Sequence, residues 1–154
     1  MEKGLRGQWL RGARDAGSDQ SAGLLKTTTD AMISLNAAMA TDGVVVSVDD
    51  GVALNRPVHI IHVTTASSAS VFTRSRVQIG KDARVTLVES FAAAFGAKSY
   101  QINDAVIVTV GDEADVAHVR LMDDAADAIN ISSALVTVGA KSEVNFFSLT
   151  SGGR

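Results

Sequence analysis

Few residues in this chain are of types that do chemistry, and their spacing limits what they can do. His59 and His62 form an H-x-x-H pair. On a strand, an offset of three residues places two side chains on opposite faces, so the pair cannot chelate one ion and reads as ordinary strand polar residues. His118, followed by Val119 and Arg120, reads as facing solvent or a partner surface, with nothing beside it in sequence to make it a catalytic base. There is no cysteine, which excludes disulfides, thiol catalysis and cysteine-held clusters within these residues. Gly80-Lys81, Gly96-Ala97-Lys98-Ser99 and Gly139-Ala140-Lys141-Ser142 lack both the spacing and the following helix of a phosphate loop, and read as turns. No G-x-S-x-G elbow and no G-x-G-x-x-G fingerprint occurs. The acidic groups Asp49-Asp50, Asp112-Glu113-Asp115 and Asp123-Asp124 with Asp127 read as solvated turns, because calcium-binding β-rolls need glycine-rich nonapeptides that are absent. Asn130-Ile131-Ser132 fits a glycosylation sequon, which has meaning only in a secreted chain. From the residues alone, no catalytic, cofactor-binding or metal-binding residue is assigned.

What must position these residues is a small apolar framework. The chain has 154 residues, enough for one domain with a real core. Apolar residues make up 46% and charged residues 20%, a globular balance. The net charge of -3 argues against a general binder of nucleic acid or of anionic membranes. No apolar run reaches membrane-spanning length and no secretory h-region opens the sequence, so a cytoplasmic location is expected. Aromatics are only 5% and there is a single proline, Pro57. The core must therefore be built from Val, Ile, Leu and Ala, which suit the narrow interior of stacked strands.

Three stretches follow. Residues 1–23 are interrupted by Gly4, Gly7, Gly12, Gly17 and Gly23 and read as a flexible arm, on which Trp9 and Leu10 could dock a partner. Residues 24–42 read as a helix leading into the core. Leu24, Leu25, Thr28, Met32, Leu35 and Met39 form one apolar face, Ser21 is the candidate cap and Asp42-Gly43 the candidate stop. Residues 43–154 change to β texture, with short Val/Ile-rich runs at 44–48, 58–63, 75–79, 83–88, 105–110, 116–121, 134–138 and 144–149. No helical pattern returns for long enough to build βαβ crossovers, which excludes a doubly wound α/β fold.

A repeat lies within these strands. Val77-Gln78-Ile79-Gly80-Lys81-Asp82-Ala83-Arg84-Val85, Val108-Thr109-Val110-Gly111-Asp112-Glu113-Ala114-Asp115-Val116 and Val136-Thr137-Val138-Gly139-Ala140-Lys141-Ser142-Glu143-Val144 share one pattern. A fainter copy runs from Val46 to Leu54, with Asp49 in the glycine place. The anchors 49, 80, 111 and 139 are 31, 31 and 28 residues apart, a period typical of solenoids. Valines two apart share a strand face, the glycine permits a tight corner with positive φ, and the small residue tucks inward. An antiparallel sandwich also uses short strands and glycine turns. The constant offset inside each copy favours a parallel β-helix.

The string Leu35-Asn36-Ala37-Ala38, then Asp42-Gly43-Val44, then Leu54-Asn55-Arg56-Pro57-Val58-His59-Ile60-Ile61, resembles the entry to the core of the SufB/SufD family. Arg76-Val77 with Gly80, Thr86-Leu87-Val88-Glu89, Tyr100-Gln101-Ile102-Asn103, Ala117-His118-Val119-Arg120-Leu121 and the closing Phe147 to Arg154 follow in the family's order. The resemblance covers roughly residues 33–154; the Thr86-Leu87-Val88-Glu89 and Pro57-Val58-His59-Ile60-Ile61-His62-Val63 strings favour the SufD side, and the absence of cysteine agrees with that. It implies an all-β fold with a right-handed parallel β-helix core. It also implies a non-catalytic scaffold role in a SufBCD-type iron–sulfur cluster assembly complex, with a SufB-like paralogue and a SufC-like ABC ATPase as partners. The ATPase would attach through a C-terminal helical region not found in these residues, so the chain reads as a truncated SufD-like protein or a fragment. It implies no resident cofactor, the cluster being carried transiently by the full complex, and no family site residue carries over. The alternatives are a hexapeptide-like β-helix acyltransferase, which would need contiguous hexads where this chain has one per ~30 residues, and a purely structural β-solenoid. An open last coil would let copies associate edge to edge.

Overall fold

A computed structural model describes residues 3–10 and 29–152. Among the described residues nine strands and one helix follow in the order β1 (Leu5–Trp9), α1 (Ala31–Met39), β2 (Val44–Val48), β3 (Val58–Thr64), β4 (Ser70–Ile79), β5 (Arg84–Ala93), β6 (Gln101–Val110), β7 (Asp115–Asp123), β8 (Ile129–Val138) and β9 (Glu143–Thr150). From β2 onward the chain coils. Even-numbered strands stack in parallel as one sheet in the order β2-β4-β6-β8, and odd-numbered strands stack as β3-β5-β7-β9. The two sheets face each other across a lumen, which makes the molecule a parallel β-helix, as the repeat predicts.

The repeat anchors lie directly above one another, for a reason other than the expected one. Gly80, Gly111 and Gly139 continue the inter-coil ladder, the Gly111 N–H donating to Ile79 O at 2.8 Å. None of the three has positive φ. Glycine is required because the corners nearly touch: a Cβ on Gly111 would lie 2.6 Å from Lys81 N and 2.8 Å from Gly80 C, both backbone atoms. The left-handed residue of each corner comes two places later, at Gly51, Asp82, Glu113 and Lys141. The first three donate their N–H groups to the next corner, Asp82 to Asp112 O at 2.9 Å among them. Asp49 stands in the glycine place of the first copy, where among the described residues no earlier parallel corner precedes it and its N–H donates to Gly4 O at 2.9 Å.

Two expectations for the N-terminal region meet the structure only in part, because residues 11–28 lie outside the described residues. The flexible arm assigned to residues 1–23 contains β1, which pairs antiparallel with β2 from Leu5 opposite Val48 to Trp9 opposite Val44. Gly4 and Gly7 disfavour a helix there, but an uncovered sheet edge rewards any extended segment that pairs with it. Leu10 is buried against Val45 and donates to Gly43 O at 2.8 Å. The helix is shorter than 24–42. Asp30 caps it, its carboxylate accepting from Met32 N and Ile33 N at 2.8 and 3.0 Å. The expected Ser21 cap, and Leu24, Leu25 and Thr28 of the expected face, lie outside the described residues. Met32, Leu35 and Met39 are exposed, and the buried residue of the helix is Asn36. Its Nδ2 donates to Thr73 O at 2.8 Å and to Asn103 O at 2.9 Å, while Asn103 Nδ2 donates back to Met32 O. A helix of nine residues is thus fixed to the sheet by amide hydrogen bonds rather than by an apolar stripe.

Candidate functional site: a charged belt in the lumen

Period-two alternation decides what enters the lumen. Near the glycine corners the inward residues are aliphatic: Val46, Val77, Val108, Val85, Leu87 and Val116 belong to one buried cluster. Farther along the same strands the inward positions become polar. On the odd-numbered sheet, Ile60, Glu89, Arg120 and Ser148 fall in one column, and Val58, Leu87, His118 and Phe146 in the next. On the even-numbered sheet, Thr73, Asp104 and Ser132 form the opposing column. Beyond this belt Phe91, Tyr100, Ile102 and Ala128 form a second buried apolar cluster.

The polar residues meet in one network. The Glu89 side chain is 0% exposed. Its Oε2 lies 2.7 Å from His118 Nε2 and 3.0 Å from Arg120 Nε. Arg120 also donates through NH2 to Asp104 Oδ2 at 2.7 Å, and Thr73 Oγ1 donates to Asp104 Oδ1 at 2.8 Å. His62 stacks on Phe91 with a centroid distance of 4.4 Å, and its Nε2 stands 3.8 Å from Glu89 Oε1. The Arg120 guanidinium lies 5.3 Å from the centroid of that Phe91 ring.

The electrostatics follow from these contacts. Burial pushes the Glu89 carboxyl upward, but the hydrogen bond from His118, the nearby His62 ring and the Arg120 charge prevail and bring it from 4.5 to about 2. Asp104 moves the other way: burial and the neighbouring Glu89 charge raise it, against Arg120 and the Thr73 hydroxyl. Two buried carboxylates face one guanidinium, and of the two it is Asp104, raised by burial and by Glu89, that favours the proton. The arrangement can hold a proton out of contact with bulk water and can tie adjacent coils together through charge.

The residues singled out in the sequence fall as follows. His59 and His62 do lie on opposite faces: His59 is exposed and pairs with Ser90 Oγ at 2.8 Å, while His62 points inward. His118 corrects its expectation, being buried in the lumen rather than turned to solvent or a partner. The three Gly/Lys segments are turns. Asp50 and Asp112 cap corners by accepting from Lys81 N and Ala140 N. Asp124 departs from the solvated-turn reading, being buried and accepting from Tyr100 Oη at 2.9 Å and Asn130 Nδ2 at 2.7 Å. Burial first, and then the Asp124 carboxylate, raise the Tyr100 hydroxyl. Asp127 is lowered by the Ser99 N–H and hydroxyl that cap it. Among the described residues no group of three or more His, Cys, Asp or Glu side chains is arranged to hold a metal ion, and no helix is long and apolar enough to cross a membrane.

Glu89, Arg120, Asp104 and Thr73 were missed as site residues. A signal existed: alternation carried from Val85 and Leu87 reaches Glu89, and the corner-to-corner offset of 31 carries Glu89 onto Arg120.

Residues 62–154 match the SufBD core domain of the SUF system for FeS cluster assembly. The chain is also 25% identical over 148 residues to an iron–sulfur cluster assembly SufBD family protein of Synechocystis sp. (strain ATCC 27184 / PCC 6803 / Kazusa), an alignment covering 88% of this chain. It spans 33% of the length of that relative. The matched region holds β4 to β9 and every ionisable member of the belt, and on this match the chain belongs to the SufBD core family.

Proposed function

We propose that the chain is the β-helical part of a SufD-like, non-catalytic scaffold in a SufBCD-type iron–sulfur cluster assembly complex. Its partners are a SufB-like paralogue and a SufC-like ABC ATPase, the cluster is cargo of the whole complex, and the setting is the cytoplasm. The observation that carries this reading is the sealed belt. Glu89, Asp104, His118 and Arg120 are engaged with one another across two adjacent coils and are at most 4% exposed at their side chains. Reactive chemistry needs ionisable groups open to substrate, whereas a closed cross-coil network stiffens a platform. Family membership supplies the assembly context.

The test is co-expression of the whole gene product with SufB-like and SufC-like proteins, followed by affinity purification on a tag carried by this chain. Retention of both partners in stable ratio is expected. If neither is retained, the scaffold reading loses its mechanism. Turnover of acyl-CoA donors by the purified chain would overturn the non-catalytic part.

A further inference from the structure

Strand β3 is an edge. One side pairs with β5 along its whole length, from Val58 opposite Leu87 to Thr64 opposite Ala93. Among the described residues nothing pairs with the other side, although in the same coil β2 is covered by β1. The Thr64 carbonyl accepts from Ala94 N. Alternation along a parallel strand then turns the N–H and C=O groups of Val58, Ile60, His62 and Thr64 toward β5, and those of His59, Ile61 and Val63 toward the open edge. A groove runs beside that edge, between β3 and the β1–β2 pair. It comprises two cavities of about 350 and about 420 Å³, which share Trp9, Val44, Ile60 and Ile61. Every residue of β3 lines one or the other.

We propose that this groove binds an extended peptide segment of a partner protein, which adds to β3 as a strand and sinks alternate aliphatic side chains into the two cavities. The proposal goes beyond the scaffold role and stands without it. Three observations select the occupant. The unpaired main-chain groups ask for a strand. The groove is one strand wide and about 23 Å long, on the order of 250 Å², against the roughly 800 Å² per partner that a stable dimer of folded faces buries. Its described lining has no Lys or Arg, and its one carboxylate is Asp42, so the segment is neutral or basic and β-branched rather than acidic.

The probe is a fluorescein-labelled Lys-Val-Thr-Val-Thr-Val-Lys peptide, followed by anisotropy on the full chain. Saturable binding is expected, and its loss when both lysines are replaced by aspartate. Ile61→Pro removes the central edge donor without touching the β5 ladder, since proline is tolerated where the N–H faces solvent. It should weaken binding at least tenfold with little change in Tm. Val44→Phe, which fills the part shared by both cavities, should do the same. The proposal is overturned if the peptide does not bind, or if it binds both variants as well as the wild type. It is also overturned if the wild type dimerises through this edge, so that Ile61→Pro yields monomer, because a second copy is then the occupant. Binding that appears only after Leu24→Asp and Leu25→Asp would make the chain's own segment the occupant and likewise overturn it.

Discussion

Glu89 is the residue on which the lumen turns. Replacing it by Gln leaves the His118 and Arg120 side chains buried beside a neutral amide, so Glu89→Gln should cost about 3–5 kcal/mol in urea unfolding. The linkage sign is fixed by the shifts. Glu89 has a folded value near 2 against an ordinary 4.5, so its contribution of about 3 kcal/mol is complete above pH 4.5 and is lost as pH falls toward 2. Asp104 is raised, so its contribution is present below its ordinary 3.8 and is lost as pH rises through its higher folded value. Unfolding measured across pH 2–8 should therefore show the acid limb weakened in Glu89→Gln and the decline above pH 3.8 weakened in Asp104→Asn. Unchanged limbs in both variants would contradict the assignment. Neither charge stands out by residue type, because a lumen carboxylate is told from a surface one only by carrying the strand alternation to it from core positions such as Val85 and Leu87. His118 was misplaced for the same reason: alternation gives the face of a residue only once the strand's parity is anchored to a core position such as Val116.

At the level of the element, corner and strand obey different constraints. The stacked glycines answer to space and the residues two places later answer to φ. Gly111→Ala should cost roughly 3 kcal/mol or more, since its Cβ would press on the backbone of the previous corner. Glu113→Gly should leave stability unchanged or raise it by about 1 kcal/mol, because Glu113 holds φ at 60°. Thermal unfolding of the two variants separates these causes, and a Gly111→Ala protein of wild-type Tm would sink the stacking account. The corners were legible because Val-x-Val/Ile-Gly recurs at spacings of 31 and 28 residues. Strand length was not. Ser70 to Arg74, Gln101 to Asp104 and Ile129 to Ser133 are the polar halves of β4, β6 and β8, and inward Thr73, Asp104 and Ser132 break the apolar pattern by which strands are recognised. The half of each strand that carries the belt is thus the half that hides from hydrophobic periodicity.

At the scale of the whole molecule, four coils stack between two ends of different character. At one end β1 covers β2 and leaves β3 open. At the other, Val136 and Val138 of β8 and Phe146, Phe147 and Leu149 of β9 are exposed. That apolar surface predicts concentration-dependent association of the isolated chain in sedimentation velocity, reduced by Phe147→Lys with Leu149→Lys, whereas a monomer at every concentration would count against it. The strings that carry the family resemblance include Glu89, Tyr100, Asn103, His118 and Arg120, residues that the fold collects in the lumen and at the helix contact. The family was therefore legible through interior residues whose geometry was not. Everything rests on parallel coils in the register that sets Glu89 beside Arg120. Because the chain has no native cysteine, disulfide trapping reads that register directly. Val88→Cys with Val119→Cys, paired on neighbouring coils and facing outward, should oxidise to an intramolecular bridge by mass spectrometry, while Thr109→Cys with Val116→Cys, which an antiparallel hairpin at Gly111 would bring together, should stay reduced. The reverse outcome would contradict the β-helix and the charged lumen together.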